Sequence, residues 1–251
     1  MDMVVPGAKF HLCSQARGRL ATTHTRRRMV VMSKVRVWDL PTRLFHWSLV
    51  VCFAGLIVSG QIGDAAMVWH FRMGYAVLSL LLFRVVWGFV GGHWSRFRAF
   101  VAGPTAIWRY LQGRGTAVQS VGHNPLGALS VLGLLGFALL QVATGLFSDD
   151  EIATTGPLAK MAPSVWVGRA TYYHSAIGKY ILIALVLLHV GALIFHRLHH
   201  KERLVRAMVV GDKLLAESFE SARDDGRSRL LACGVFAVCA GLVAVLLQWA
   251  G

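Results

Sequence analysis

Five stretches of this chain are long and apolar enough to cross a lipid bilayer, and that limits the possible folds more than any other feature. A spanning helix needs ~20 mostly apolar residues. Leu44–Ile62, Val68–Val90, Leu126–Phe147, His174–Phe195 and Leu230–Trp249 meet that length. Lipid offers no partner for backbone N–H and C=O groups, so each stretch must satisfy them internally as a helix. Composition agrees: 15% of the residues are charged, against ~25% in ordinary soluble domains, and mean hydropathy is +0.55. The expected fold class is therefore all-α, a polytopic membrane four-helix bundle plus a fifth C-terminal transmembrane helix. Gly55, Gly60, Gly127, Gly133, Gly136 and Gly178 are small residues that permit close helix packing in lipid.

The net charge of +14 would suggest nucleic acid in a soluble protein. Here the basic residues sit between apolar runs, so no nucleic-acid partner is expected, and the charge reads as membrane orientation. Of 26 Lys and Arg, 21 fall before the first span, between the second and third, and between the fourth and fifth. Only Lys160 and Arg169 fall in the alternate loops. Cytoplasmic loops carry the Lys/Arg excess, which predicts a multi-pass protein of the bacterial inner membrane with its N-terminus in the cytoplasm. Arg26-Arg27-Arg28 lacks the apolar stretch that a twin-arginine signal requires, because Lys34, Arg36 and Asp39 follow. Residues 1–32 are expected to form a basic cytoplasmic tail without fixed structure, and Met32 is an alternative start.

The cysteines Cys13, Cys52, Cys233 and Cys239 form no Cys-x-x-Cys. Covalent c-type haem, thioredoxin-like chemistry and zinc ribbons are thereby excluded, and so is the usual thiolate spacing of an iron–sulfur cluster. All four read as small buried hydrophobes.

The histidines carry more information. His70 enters the second span and His174 the fourth, both from the outer side. Ionisable residues inside a membrane are costly and usually functional, and two at matched depth on different helices point to a shared ligand. His189 follows His174 by fifteen residues, ~22 Å along a regular helix and ~60° around it. It therefore lies near the opposite face of a ~30 Å hydrocarbon core. His46 starts the first span at that inner depth. His93, His123 and His196 lie there too, so the inner partner stays open on depth alone.

Two imidazoles on opposite faces of an iron porphyrin fill both axial positions, and the ligands and their surroundings then tune its potential. Two such tiers stacked along the membrane normal would carry electrons through lipid. Structural zinc gathers four ligands at one point, which tiers ~22 Å apart do not supply. Haem propionates need cations, and Arg72 and Lys179 are the candidates near the outer edge. Arg84, in the second span, is read as packing or as a surface beside quinone.

Several motifs recur in order. Val35-Arg36-Val37-Trp38-Asp39-Leu40-Pro41-Thr42-Arg43-Leu44-Phe45-His46-Trp47 opens the organised sequence. His70-Phe71-Arg72-Met73-Gly74-Tyr75 and Phe83-Arg84-Val85-Val86-Trp87-Gly88 form the second span. Gly122-His123-Asn124-Pro125-Leu126-Gly127-Ala128 enters the third, and Gln141 with Thr144-Gly145-Leu146-Phe147 leaves it. Together they resemble the bacterial cytochrome b561 family, which includes the cytochrome b subunit of nickel–iron hydrogenases. The resemblance covers about Val35 to Lys213. It implies a haem-binding four-helix bundle with two haem b groups whose iron ligands are His46, His70, His174 and His189. It also implies electron exchange between the quinone pool, with ubiquinone as a candidate substrate, and a periplasmic redox partner, either a c-type cytochrome or a hydrogenase-like subunit.

The domains expected are thus the tail (1–32), a cytochrome b561-like di-haem transmembrane domain (33–213), and a linker with the C-terminal transmembrane helix (214–251). The function expected is transmembrane electron transfer in a respiratory chain, with a quinone oxidoreductase subunit as a close variant. The rival readings are a histidine-containing membrane transporter and a haem-free membrane anchor of a redox complex. Against the transporter, none of the five spans has a midplane Asp or Glu. Asp149-Asp150-Glu151 reads first as a solvated outer loop and second as a contact for a basic partner.

Overall fold

A computed structural model describes residues 32–152 and 154–250; the expected basic tail lies outside them except for Met32. The chain runs through strand β1 (Ser33–Arg36), helices α1 (Leu40–Ile62) and α2 (Met67–Val90), and the short helices α3 (Phe97–Phe100) and α4 (Pro104–Leu111). Then come α5 (Pro125–Leu146), α6 (Ser164–Tyr172), a π-helical turn (Tyr173–Gly178) and α7 (Lys179–His199). The chain ends with α8 (Leu204–Val210), β2 (Asp212–Leu215) and α9 (Gly226–Ala250). Among the described residues, five helical segments are long and apolar enough to span a membrane, as the sequence predicts.

Local chemistry fixes where the spans begin. Asp39 caps α1 by accepting from the Thr42 N–H, with Pro41 in the first turn. Asn124 caps α5 by accepting from the Gly127 N–H, with Pro125 next in the chain. Both are the side chain and proline that a helix start favours.

The fourth span departs from expectation. It is one rod from Ser164 to His199, so His174 lies ten residues inside it rather than at its entry. At ~1.5 Å per residue the rod is ~54 Å long, well beyond the hydrocarbon thickness, and α6 projects past the apolar layer. At Tyr173–Gly178 the hydrogen-bond pattern widens to a π-turn, which alters the regular ~60° offset between His174 and His189.

The second span is the central one: 44% of its apolar window is buried, against 11–17% in the other four. It packs on α1, α5 and α9, while α5 packs on α7. The core around it joins Phe45, Val77, Leu80, Leu81, Phe83, Trp87, Leu135, Ala232 and Cys239. The fifth span belongs to this core, with Phe236 set edge-on against Phe83.

A second small core lies at the end where α1 begins, formed by Val35, Val37, Trp38, Trp94, Val121, Ala207 and Ala222. It is closed by β1 and β2, which pair antiparallel with Ser33 opposite Leu215 and Arg36 opposite Asp212. Gly211 turns the chain into β2 at φ +91°, and its carbonyl accepts from the Val37 and Trp38 N–H groups. Arg36 pairs with Asp212 and Asp224, and Asp224 also accepts from the Leu40 N–H and from Arg229. The segment after β2 is thus tied to the start of α1 before it enters α9.

Candidate cofactor cavity

A cavity of about 2240 Å³ opens between α1 and α2 on one side and α5 and α7 on the other. A pocket for one drug-sized ligand occupies ~300–1,000 Å³, so this space has room for more than one such group. Its lining is mostly apolar, with histidines at both ends: His46, His70, His123, His174, His189 and His196. His93 lies elsewhere, in a separate pocket with Arg96, Arg98, Arg223 and Arg227, where its ring meets Glu220 at 3.3 Å.

His70 and His174 come together at the end of the cavity away from the start of α1, the outer end in the orientation expected from the charges, with ring centroids 6.1 Å apart and planes at 83°. The His70 Nδ1–H donates to the Leu56 carbonyl at 3.1 Å, with Ser59 Oγ at 3.3 Å. The His174 Nδ1–H donates to the Gln141 carbonyl at 2.8 Å. A carbonyl can only accept, so each bond places the proton on Nδ1 and leaves the Nε2 lone pair for a metal. Ligating histidines are commonly oriented through the second ring nitrogen in this way. Two imidazoles sharing one metal ion bring their nitrogens to ~4 Å, and the half-widths of the rings extend this to roughly 6 Å between centroids. The observed spacing fits that arrangement.

Glycines make the approach possible. A Cβ on Gly145 would stand 2.7 Å from His174 Cε1, and one on Gly60 would stand 3.2 Å from the His70 ring. Gly74 and Gly133 line the cavity and face open space, where a side chain would intrude on a bound planar group.

Gln141 is the functional residue whose role could not be assigned from sequence. Its Nε2 donates at 2.8 Å to the His174 carbonyl, within the π-turn where regular helical pairing is broken. Its own carbonyl holds the His174 ring. Gly178 lets this side chain in, since a Cβ there would fall 2.1 Å from Gln141 Oε1. The sequence signal was Gln141 itself, a polar side chain inside an apolar run.

At the inner end, His46 and His189 line the same cavity from α1 and α7. The enclosed His46 Nδ1 has no hydrogen-bond partner. His123 also borders the cavity, its ring between Trp38 at 4.6 Å and Phe100 at 4.7 Å. Burial first, then the charges of Arg84 and Lys213, hold its pKa down to about 3, so it is neutral at physiological pH. His196 sits beside Glu202 at 3.4 Å.

The cations sort differently from expectation. Lys179 lines the cavity, with its Nζ 4.9 Å from the centroid of the Tyr180 ring. Arg72 is exposed, its guanidinium over Trp69 at 5.1 Å, and it is not among the lining residues. Arg84 is buried and does line the cavity. In the outer loop, Asp149 and Asp150 accept hydrogen bonds from Glu151, Ile152, Thr154 and Thr155. Their side chains are engaged in shaping the loop itself.

Residues 37–211 match the family described as prokaryotic cytochrome b561. Relatives include the "Probable Ni/Fe-hydrogenase 1 B-type cytochrome subunit" of Escherichia coli K12, 25% identical over 212 residues, which are 70% of this chain and 88% of the relative. The corresponding B-type cytochrome subunit of Azotobacter vinelandii is 26% identical over 73% of this chain and 90% of its own length. That of Bradyrhizobium diazoefficiens is 22% identical over 85% and 98%. The chain therefore belongs to the prokaryotic cytochrome b561 family, as a multi-pass membrane b-type cytochrome that transfers electrons on haem b.

Proposed function

We propose that the chain moves electrons across the inner membrane on two haem b groups, one held by His70 and His174 and the other by His46 and His189. The observation that carries this reading is the outer pair: two imidazoles at iron-bridging distance, each with its Nδ1–H committed to a carbonyl of another helix. The size of the cavity and the two further histidines at its inner end support a second tier. The haems supply reversible one-electron chemistry. The protein holds them in an apolar slot, fixes the imidazole tautomers and provides cations for their carboxylates. The position of Lys179 in the cavity lining supports its role toward the outer carboxylates, and the exposure of Arg72 favours lipid headgroups for that side chain.

The charge asymmetry supports a cytoplasmic N-terminus, which puts the His46 tier on the cytoplasmic side. The names of the relatives support a hydrogenase-like redox partner at the outer face. Quinone, ubiquinone among the candidates, is the electron carrier proposed within the membrane, and a c-type cytochrome is the alternative outer partner.

The test is haem content and reduced-minus-oxidised spectra of purified protein. Wild type is expected to hold two haems per chain, and Ala at His70, His174, His46 or His189 to leave about one. Wild type with fewer than two haems, or single variants that keep both, would overturn the reading.

A further inference from the structure

The inner end of the cavity contains a buried cation that forms no ion pair among the described residues. Arg84 leaves α2 within the bilayer-spanning stretch, is 3% exposed and borders the cavity. Its Nη1 is enclosed and hydrogen-bonds to nothing, while its guanidinium carbon lies 5.1 Å from the Phe97 ring centroid. The acidic group whose charge bears on it is Asp39. That carboxylate is already engaged, accepting from the Thr42 and Gly92 N–H groups at 2.8 and 3.1 Å, Ser95 Oγ at 2.9 Å and Trp87 Nε1 at 3.3 Å. These donors hold Asp39 at the base of α1, and it forms no ion pair with Arg84.

Two further polar groups border the same space. Lys213 donates from Nζ to the Val121 carbonyl at 2.8 Å, and His123 has an enclosed Nδ1 without a partner. Arg84, Lys213, His46, His123 and His189 all line this space, as does Glu202. A buried charge is costly unless an opposite charge meets it; Asp39 acts on Arg84 without an ion pair and the charge of Glu202 bears on Lys213, so no carboxylate among the described residues contacts the guanidinium. An anion brought by the occupant of the cavity would satisfy Arg84. It must be attached to an apolar body, because the way in is lined by the apolar faces of four spans.

We propose that Arg84, flanked by Lys213 and His123, seats the propionate carboxylates of the inner haem. This rests on the two-haem reading above. Arg84 thereby becomes a positioning residue that also sets the potential of that haem. A cation beside the macrocycle stabilises the form carrying the extra electron, so the inner haem is held at a higher potential than it would otherwise have.

The experiment is a redox titration of the purified full-length holoprotein, with haem-to-protein ratios measured alongside. His46→Ala identifies the inner transition by removing it. Arg84→Gln is expected to lower the midpoint of that transition and leave the outer one in place, and Arg84→Lys to recover most of the shift. Lys213→Met is expected to move the same midpoint in the same direction by less, and it keeps the test open if Arg84→Gln loses the inner haem altogether. Two haems with both midpoints unmoved in Arg84→Gln, or both midpoints moved equally, would overturn the assignment. So would an inner haem lost from Arg84→Gln together with an unmoved midpoint in Lys213→Met. A wild-type ratio of one would instead remove the two-haem reading itself, and the proposal with it.

Discussion

The two ends of the cavity are built differently. At the outer end the fold itself orients the imidazoles: the Nδ1–H groups of His70 and His174 end on carbonyls, and Gln141 Nε2 pairs with the carbonyl that the π-turn exposes, while the enclosed Gln141 Oε1 and Tyr173 hydroxyl have no partner. At the inner end, His46 Nδ1, His123 Nδ1 and Arg84 Nη1 are enclosed and have no hydrogen-bond partner. Buried polar groups are costly unless they are bonded. The contrast teaches that the outer imidazoles are oriented by the fold alone, whereas the inner groups depend on what the cavity holds.

The largest effect expected from breaking this contrast comes at Asp39, which anchors the inner end. Asp39→Ala removes the acceptor for two backbone N–H groups, a hydroxyl and an indole N–H. Each buried group left unsatisfied costs ~1–3 kcal/mol. Thermal unfolding in detergent should drop sharply, and the inner haem should be lost before the outer one; equal loss of both would contradict the division. Next is Gly145→Val, whose Cβ would stand 2.7 Å from His174 Cε1. Overpacking of ~1–3 kcal/mol should expel the outer haem and spare the inner, as read by haem content and by the transition that His46→Ala leaves.

A smaller effect is expected from Gln141→Leu, which leaves the His174 carbonyl unpaired but keeps the bond to the ring. Changes in the groups that orient metal ligands cost ~10–100-fold in affinity. Haem transfer to apomyoglobin should therefore speed up for the outer site alone. The smallest concerns the β1–β2 clasp. Burial raises the Asp224 carboxyl, but the bonds from Arg229 and the Leu40 N–H, with the charges of Arg229 and Arg36, outweigh it and hold its pKa below the usual 3.8. The stabilisation is therefore complete above pH 3.8 and fades as pH falls through the lowered folded value. Amide exchange should show residues 33–36 and 212–224 opening in that acid range while the spans stay protected.

Much of this architecture could be read from the residues. Hydropathy located the five spans because lipid leaves backbone only one solution there, and the alternation of the spans put His70 and His174 at one depth. The features that escaped depend on distant partners. Nothing local to Tyr173–Gly178 signals a π-turn; the contacts of Gln141 and the gap at Gly178 lie across a helix interface. Arg84 sits among Phe83, Val85, Val86 and Trp87, and its apolar neighbours do not reveal whether it faces lipid or cavity. The clasp joins two four-residue strands from nearly opposite ends of the described chain, too short to stand out by alternation. Gly133 and Gly136, expected to allow tight helix contact, have open space where a Cβ would go.

The π-turn has a mechanical consequence for the fourth span. It acts as a phase spacer between the two histidines that this helix contributes. An i→i+5 turn holds one residue more than an α-helical turn, so removing one residue there lets it close to regular pairing and leaves the stretch beyond near its present phase. Removing one from the regular helix between Gly178 and His189 would instead turn His189 by ~100° and draw it in by ~1.5 Å, away from the cavity. Single deletions should therefore be tolerated at the widened turn, outside His174 itself, far better than in α7 beyond it.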